Sequence, residues 1–238
     1  ALPICAGPGD PDLLTIKGVK ALAEADVVLY DALANEELME FAPKSSIKIF
    51  VGKRKGSHAY SQGQINQLIV DNALTYGHVV RLKGGDPFIG IPTFVVPGIS
   101  SSIAVPAYQG ISLTKRGVSE SFWVITGTTS ARKLSDDVQL AAKSTATVVI
   151  LMGMSKLAQI VALFQEESKG ETPIAIIQNG TTPEERIGVG TIDTIEAVVA
   201  AHNLSNPAII VIGEVVKESN KLKGFYEEFI VASGRDLT

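Results

Sequence analysis

Short runs of aliphatic and β-branched residues alternate along the chain with longer stretches whose apolar positions recur at helical spacing. This is the pattern of an α/β protein with a largely parallel sheet and crossover helices. The first half offers strands over residues 2–6, 27–30, 47–51, 79–83 and 93–96, and the second half over 122–126, 147–152, 174–178, 186–190 and 208–213. The helical signal is sharpest after Ser61-Gln62-Gly63-Gln64, which has the S-x-x-Q form of a capping box and is followed by Ile65, Leu68, Ile69 and Ala73 on one face. The same period predicts helices over 11–25, 100–108, 155–167 and 191–201. The longest apolar runs, such as 148–152, are about five residues where a bilayer needs roughly 18, so no membrane span is expected.

The polar stretch 112–119 divides two βα sets. It predicts a first lobe over 1–114, a second over 115–216, a ligand cleft between them, and a charged tail over 217–238 at the surface. One connection resists a simple parallel reading. Only residues 84–92, with two prolines and no helical pattern, separate the strand at 79–83 from that at 93–96. A parallel crossover takes about a dozen residues or more. Either these strands are not parallel neighbours, or a segment after Ile89-Gly90 is absent from this sequence.

Charge and composition narrow the functions. The chain has 238 residues with 21 basic and 25 acidic side chains, a net charge of −4, which disfavours nucleic acid as a partner. One cysteine, Cys5, excludes an intrachain disulfide, and His58, His78 and His202 lack metal-ligand spacing, so no metal is expected. The first residues show neither a basic n-region nor an apolar h-region, which leaves the cytoplasm as the expected address.

Candidate chemistry gathers where strands end. Gly7-Pro8-Gly9-Asp10-Pro11-Asp12 leaves a strand and enters a helix, but Asp12 stands where a dinucleotide fingerprint needs its third glycine. A Gly/Pro turn is the plain alternative. Gly84-Gly85-Asp86-Pro87 follows the strand ending at Lys83; its glycines allow close backbone approach and Asp86 is an acceptor, though GGDP alone is also a common turn. Val51-Gly52-Lys53-Arg54-Lys55-Gly56 is not a phosphate loop, since Arg54 replaces Ser/Thr. Its cations on an acidic protein, with Lys115-Arg116 further on, suggest a polyanionic small molecule, against the alternative of a solvated turn. Asp31, just past a strand, is either a general base or a helix cap. Pro97-Gly98-Ile99-Ser100-Ser101-Ser102 and Asn179-Gly180-Thr181-Thr182 are weak signals singly.

Taken in order, GPGDPDLLT, ADVVLYDAL, VGKRKG, QGQIN, VVRLKGGDPFI, PGISS, LTKRG, LMGM and IIQNGTTPEERI closely resemble the tetrapyrrole methylases, from about Ala6 to Val216. The resemblance implies two α/β lobes, S-adenosylmethionine as cofactor with S-adenosylhomocysteine as product, and a homodimer. It points to the branch that methylates uroporphyrinogen III at two pyrrole carbons, on the way to siroheme and cobalamin. Carried over by position, it implies that Pro8, Gly84, Gly85, Asp86, Ile89, Ser100, Ser101, Met152 and Gly180 contact the cofactor. Asp31 matches the family's proton acceptor and Lys53 its proton donor. Electrostatics add Arg54, Lys115 and Arg116 as partners for the carboxylates of the macrocycle. Methyl transfer from a sulfonium to carbon depends above all on alignment, and the methylated ring must then lose a proton, which a carboxylate such as Asp31 accepts.

The chain departs from the family pattern at one place. Relatives carry about 14 further residues, often beginning FGRGGEE, between the equivalents of Ile89 and Ile91, more than a short connection needs. Here only Gly90 stands between them, the place where the crossover argument also failed. Alternatives within the family are methylation of a later corrinoid precursor, of diphthine or of ribosomal-RNA ribose. Outside catalysis, the alternative is a module that binds S-adenosylmethionine without turnover.

Overall fold

The computed structural model describes residues 2–52, 60–84 and 94–224. The chain forms two compact units, Ala1–Ser101 and Ser102–Thr238. The division falls before the 114/115 boundary read from sequence, because Val105, Ile111 and Leu113 pack into the apolar core of the second unit.

In the first unit β1 (Leu2–Cys5), β2 (Val27–Tyr30), β3 (Ile47–Phe50) and β4 (Val79–Lys83) form a parallel sheet in the order β1-β4-β2-β3. Alternation along the strands feeds two cores. Val28, Val80 and Leu82 pack with Leu22 of α1 (Ile16–Ala23), while Val27, Leu29 and Val79 pack with Ile65 and Ile69 of α2 (Gln62–Tyr76). The predicted capping box is present: Gln64 N–H donates to Ser61 Oγ at 3.3 Å and Ser61 N–H to Gln64 Oε1 at 2.8 Å.

Two sequence expectations change here. The single helix over 11–25 is interrupted, with a 3₁₀ turn at Pro11–Leu13 capped by Asp10, then Leu14 extended, then Thr15 capping α1 through Gly18 N–H at 3.2 Å. Two capping side chains in succession start two helices. The strand over 93–96 is reduced, among the described residues, to a parallel bridge between Val96 and Ile4. Val96 bonds to the side of β1 away from β4, so the two segments run parallel but are not neighbours. A 3₁₀ turn at Glu36–Phe41, capped by Asn35, was not anticipated.

The second unit opens with α3 (Ser101–Tyr108), which spans the division, and is built on β5 (Phe122–Thr126), α4 (Asp137–Lys143), β6 (Thr147–Leu151), α5 (Leu157–Glu166), β7 (Pro173–Gln178), β8 (Arg186–Thr191), α6 (Ile195–His202) and β9 (Ala208–Ile212). The sheet order is β5-β6-β9-β7-β8. Only β5 and β6 are parallel; β9 runs antiparallel to β6 and β7, and β7 antiparallel to β8. The largely parallel expectation therefore fails in this unit, because the 179–185 connection is too short for a crossover and closes a hairpin. The helix expected over 191–201 starts at Ile195 because Thr191 still belongs to β8, with its N–H bonded to Thr194 Oγ1 at 2.8 Å. The tail does not lie wholly on the surface: Leu222 and Ser219 are buried.

Candidate functional site

The four parallel strands of the first unit end at one edge, where open α/β sheets meet ligands. Gly7-Pro8-Gly9 leaves β1, Asp31 follows β2 and Gly84 follows β4. Asn35 Nδ2 donates to Gly9 O at 2.9 Å, tying the Pro8 loop to the segment beyond Asp31. Gly98 packs so tightly on Cys5 that a Cβ there would lie 2.6 Å from the Cys5 carbonyl oxygen, which brings the run leading to Ser100 and Ser101 to the same edge.

Asp31 is the hub of this edge. Its Oδ1 accepts from Leu33 N–H at 3.1 Å and from Gly84 N–H at 3.4 Å, and its Oδ2 faces Arg81 Nη2 at 2.9 Å. Arg81 is only 4% exposed, and its Nη1 also donates to Leu82 O at 2.5 Å and Leu29 O at 3.4 Å. A carboxylate offers about four lone-pair sites, so with these three donors one site on Oδ2 stays open among the described residues. Glycine is required at position 84 because an added Cβ would lie 2.4 Å from Leu33 Cβ. The turn after Asp31 and the loop after β4 are thus in direct contact. Sequence reading missed Arg81, although a charge inside the apolar run Val79-Val80-Arg81-Leu82 was its visible signal. Lys53, Arg54, Gly85, Asp86 and Ile89 lie outside the described residues.

In the second unit β5, β6 and β7 end at one edge, where β9 begins. Met152 follows β6 with φ 54° and is 60% exposed, and its carbonyl accepts from Thr128 Oγ1 at 2.7 Å. With Thr128, Thr129, Ser130, Ser155 and Asn206 it lines a cavity of about 480 Å³. The hydroxyl run Thr128-Thr129-Ser130 after β5 was also missed, its signal being a glycine-led polar cluster at a strand end. Gly180 follows β7 between Asn179 and Thr181, both with positive φ, and an added Cβ would lie 2.4 Å from Val105 Cγ1. Glu185 fixes this turn: its Oε2 accepts from Thr181 N–H at 2.9 Å and its Oε1 from Gln109 Nε2 at 2.5 Å.

Lys115 and Arg116 are not brought together with Met152 and Gly180. Their turn precedes β5, and Ser119 within it bonds to Thr147 at the start of β6, the end of that strand opposite Met152. Five residues of strand separate the two ends, about 17 Å. Lys115 is moreover paired with Glu218, whose carboxyl is held below its usual range by the Lys115 hydrogen bond and then by its charge. Arg116 is exposed and has no side-chain partner among the described residues.

Known proteins resemble this chain over most of its length. The model of the tetrapyrrole (corrin/porphyrin) methylases matches residues 4–90 and 89–196, two stretches that meet where the chain departs from the family pattern. A uroporphyrinogen-III C-methyltransferase of Methanocaldococcus jannaschii is 45% identical over 227 residues, covering 89% of this chain and 94% of that protein. A siroheme synthase of Actinobacillus pleuropneumoniae is 40% identical over 240 residues, but this chain spans only 49% of its length. The crystal structure of uroporphyrin-III C-methyltransferase from Thermus thermophilus complexed with S-adenosylhomocysteine superposes with a TM-score of 0.75 at 31% identity, over 91% of this chain and 99% of that one. The chain belongs to the tetrapyrrole methylase family.

Proposed function

We propose that this chain transfers methyl groups from S-adenosylmethionine to two pyrrole carbons of uroporphyrinogen III, giving precorrin-2. The observation that carries the reading is Asp31: a carboxylate at a strand end, fixed on three sides, with one acceptor site open among the described residues and a direct bond to Gly84.

The residues present fit the cofactor. The cavity beside Met152 has the volume of a small-ligand site and the hydroxyls to meet a ribose. Bound S-adenosylmethionine supplies an electrophilic sulfonium methyl group. Pro8, Gly84, Gly85, Asp86, Ile89, Ser100, Ser101, Met152 and Gly180 would hold it. Asp31 Oδ2 accepts the proton that the methylated ring carbon must lose, and Lys53 serves as the proton donor. Arg54 meets carboxylates of the macrocycle, and Arg116, at the strand end opposite Met152, meets only one far from the methyl donor. Lys115 contributes less, because Glu218 already neutralises it. A homodimer and a cytoplasmic address belong to the same reading; among the described residues no helix is long and apolar enough to cross a membrane.

The test is incubation of the protein with S-adenosylmethionine and enzymatically generated uroporphyrinogen III, with products read by mass and absorbance. Two methyl groups per macrocycle are expected. Absence of product while S-adenosylmethionine still binds overturns the substrate assignment and turns the search to other methyl acceptors.

A further inference from the structure

Arg81 is a charge placed inside an apolar strand. It stands in β4 between Val80 and Leu82, both fully buried, and is itself only 4% exposed. Such a charge is retained only when it is paired, and Arg81 is: Nη1 bonds to the carbonyls of Leu82 and Leu29, and Nη2 reaches Asp31 Oδ2 at 2.9 Å. The two carbonyls belong to adjacent strands, so the guanidinium plane is set by the sheet rather than by solvent. Its free edge then dictates where the Asp31 carboxylate points.

The Asp31 side chain is 16% exposed, so it is held from within and open on one side. Leu33 and Gly84 N–H groups take Oδ1, and Arg81 takes one lone pair of Oδ2. Among the described residues the remaining acceptor site is left with a single direction. Were Arg81 absent, Oδ2 would be free to rotate about χ2, and only the backbone donors on Oδ1 would orient the group.

We infer that Arg81 is a positioning residue for methyl transfer: its buried guanidinium aims the open lone pair of Asp31 Oδ2 and, through the same carboxylate, keeps the turn after β2 in register with the loop after β4. The inference rests on Asp31 being the proton acceptor. It assigns Arg81 no contact with substrate or cofactor.

The test is a kinetic cycle on the full chain with Asp31→Asn, Arg81→Met and the double variant, read as kcat and KM for methyl transfer. Arg81→Met is expected to lower kcat about 100-fold while KM for the macrocycle stays within about threefold, since misaiming a reacting group costs rate more than binding. Arg81→Lys, which keeps the charge but not the planar fork, recovers about tenfold of that loss. The double variant is expected to be no slower than Asp31→Asn alone, because a residue that acts only through Asp31 has nothing left to act on. Losses that multiply in the double variant overturn the inference, as does an Arg81→Met enzyme within about threefold of the parent kcat. If Asp31→Asn itself keeps the parent kcat, the acceptor reading fails and this inference with it. If Asp31→Asn is slow and Arg81→Met is not, only the inference fails. Should Arg81→Met not fold, Arg81→Lys takes its place in the cycle, with the same comparison in the Asp31→Asn background.

Discussion

At the sheet edge of the first unit two loops are joined by a buried guanidinium and a carboxylate, whereas at the sheet edge of the second the loops are shaped by left-handed backbone and neutral hydroxyls. Asp31, Arg81 and Gly84 form one connected cluster built on a charge pair. Around Met152 and Gly180 the work is divided among Thr128, Glu185 and Gln109, each contributing a bond or two. A charge buried between strands is costly to leave unpaired, while a neutral bond at a partly open edge is replaceable by water. The two edges should therefore differ sharply in how they respond to single changes.

The largest effect is expected at the charge pair. Arg81→Met leaves Asp31 without its cation and should cost about 3–5 kcal/mol of stability, measured by urea unfolding at neutral pH, and adding Asp31→Asn should recover part of it. A cost no larger than that of a surface substitution would erase the contrast between the edges.

The two glycines sharpen it. An alanine at either Gly84 or Gly180 overpacks its site, at about 1–3 kcal/mol, but the neighbours differ. At Gly84 the new Cβ meets Leu33 Cβ at 2.4 Å and its backbone at 3.1–3.2 Å, none of which can turn away. At Gly180 it meets the side chain of Val105, at 2.4–3.1 Å. Val105→Ala should therefore restore stability and cofactor affinity to Gly180→Ala, whereas Leu33→Ala should not rescue Gly84→Ala. Calorimetric binding of S-adenosylhomocysteine and thermal unfolding read both.

A smaller change is expected from Glu185→Ala, which removes the acceptor that Thr181 N–H and the buried Gln109 amide share and should cost about 1 kcal/mol or somewhat more. Loss of cofactor affinity should accompany it, since the same bond shapes the turn carrying Gly180. The smallest effect belongs to Lys115 and Glu218. Because Lys115 lowers the Glu218 pKa, the pair stabilises the fold above the ordinary glutamate value near 4.5, and that contribution is lost as pH falls through the lower folded-state value. Lys115→Ala should flatten this acid limb in a stability–pH profile and change stability at pH 7 less than any variant above.

Much of the scaffold can be read without coordinates. Strands 27–30, 79–83 and 122–126 end where the apolar pattern ends, and the Ser61 capping box is a local signal with a local outcome. The elements that escaped are short or interrupted by a second cap: the Glu36–Phe41 turn, α4, and the break at Thr15. Of the site, the glycines at 84 and 180, the carboxylate at 31 and the methionine at 152 stand out as residues that follow strands. Arg81 does not, because a sequence shows a charge in an apolar run without showing what satisfies it. Lys115 and Arg116 stand at the strand end opposite Met152, a separation that charge along the sequence does not show.

The sequence by itself determined most of the strands and the longer helices and, through its ordered motifs, the family. These are consequences of local periodicity and of residue types whose conformational demands do not depend on distant partners. Tertiary structure decided the antiparallel course of β7, β8 and β9, the neighbours of Gly84 and Gly180, and the pairing of Asp31 with Arg81. Each depends on which strands lie side by side, and Asp31 and Arg81, 50 positions apart in the chain, meet only because β2 and β4 pair in register. That pairing is a contact between distant segments, which no local pattern encodes.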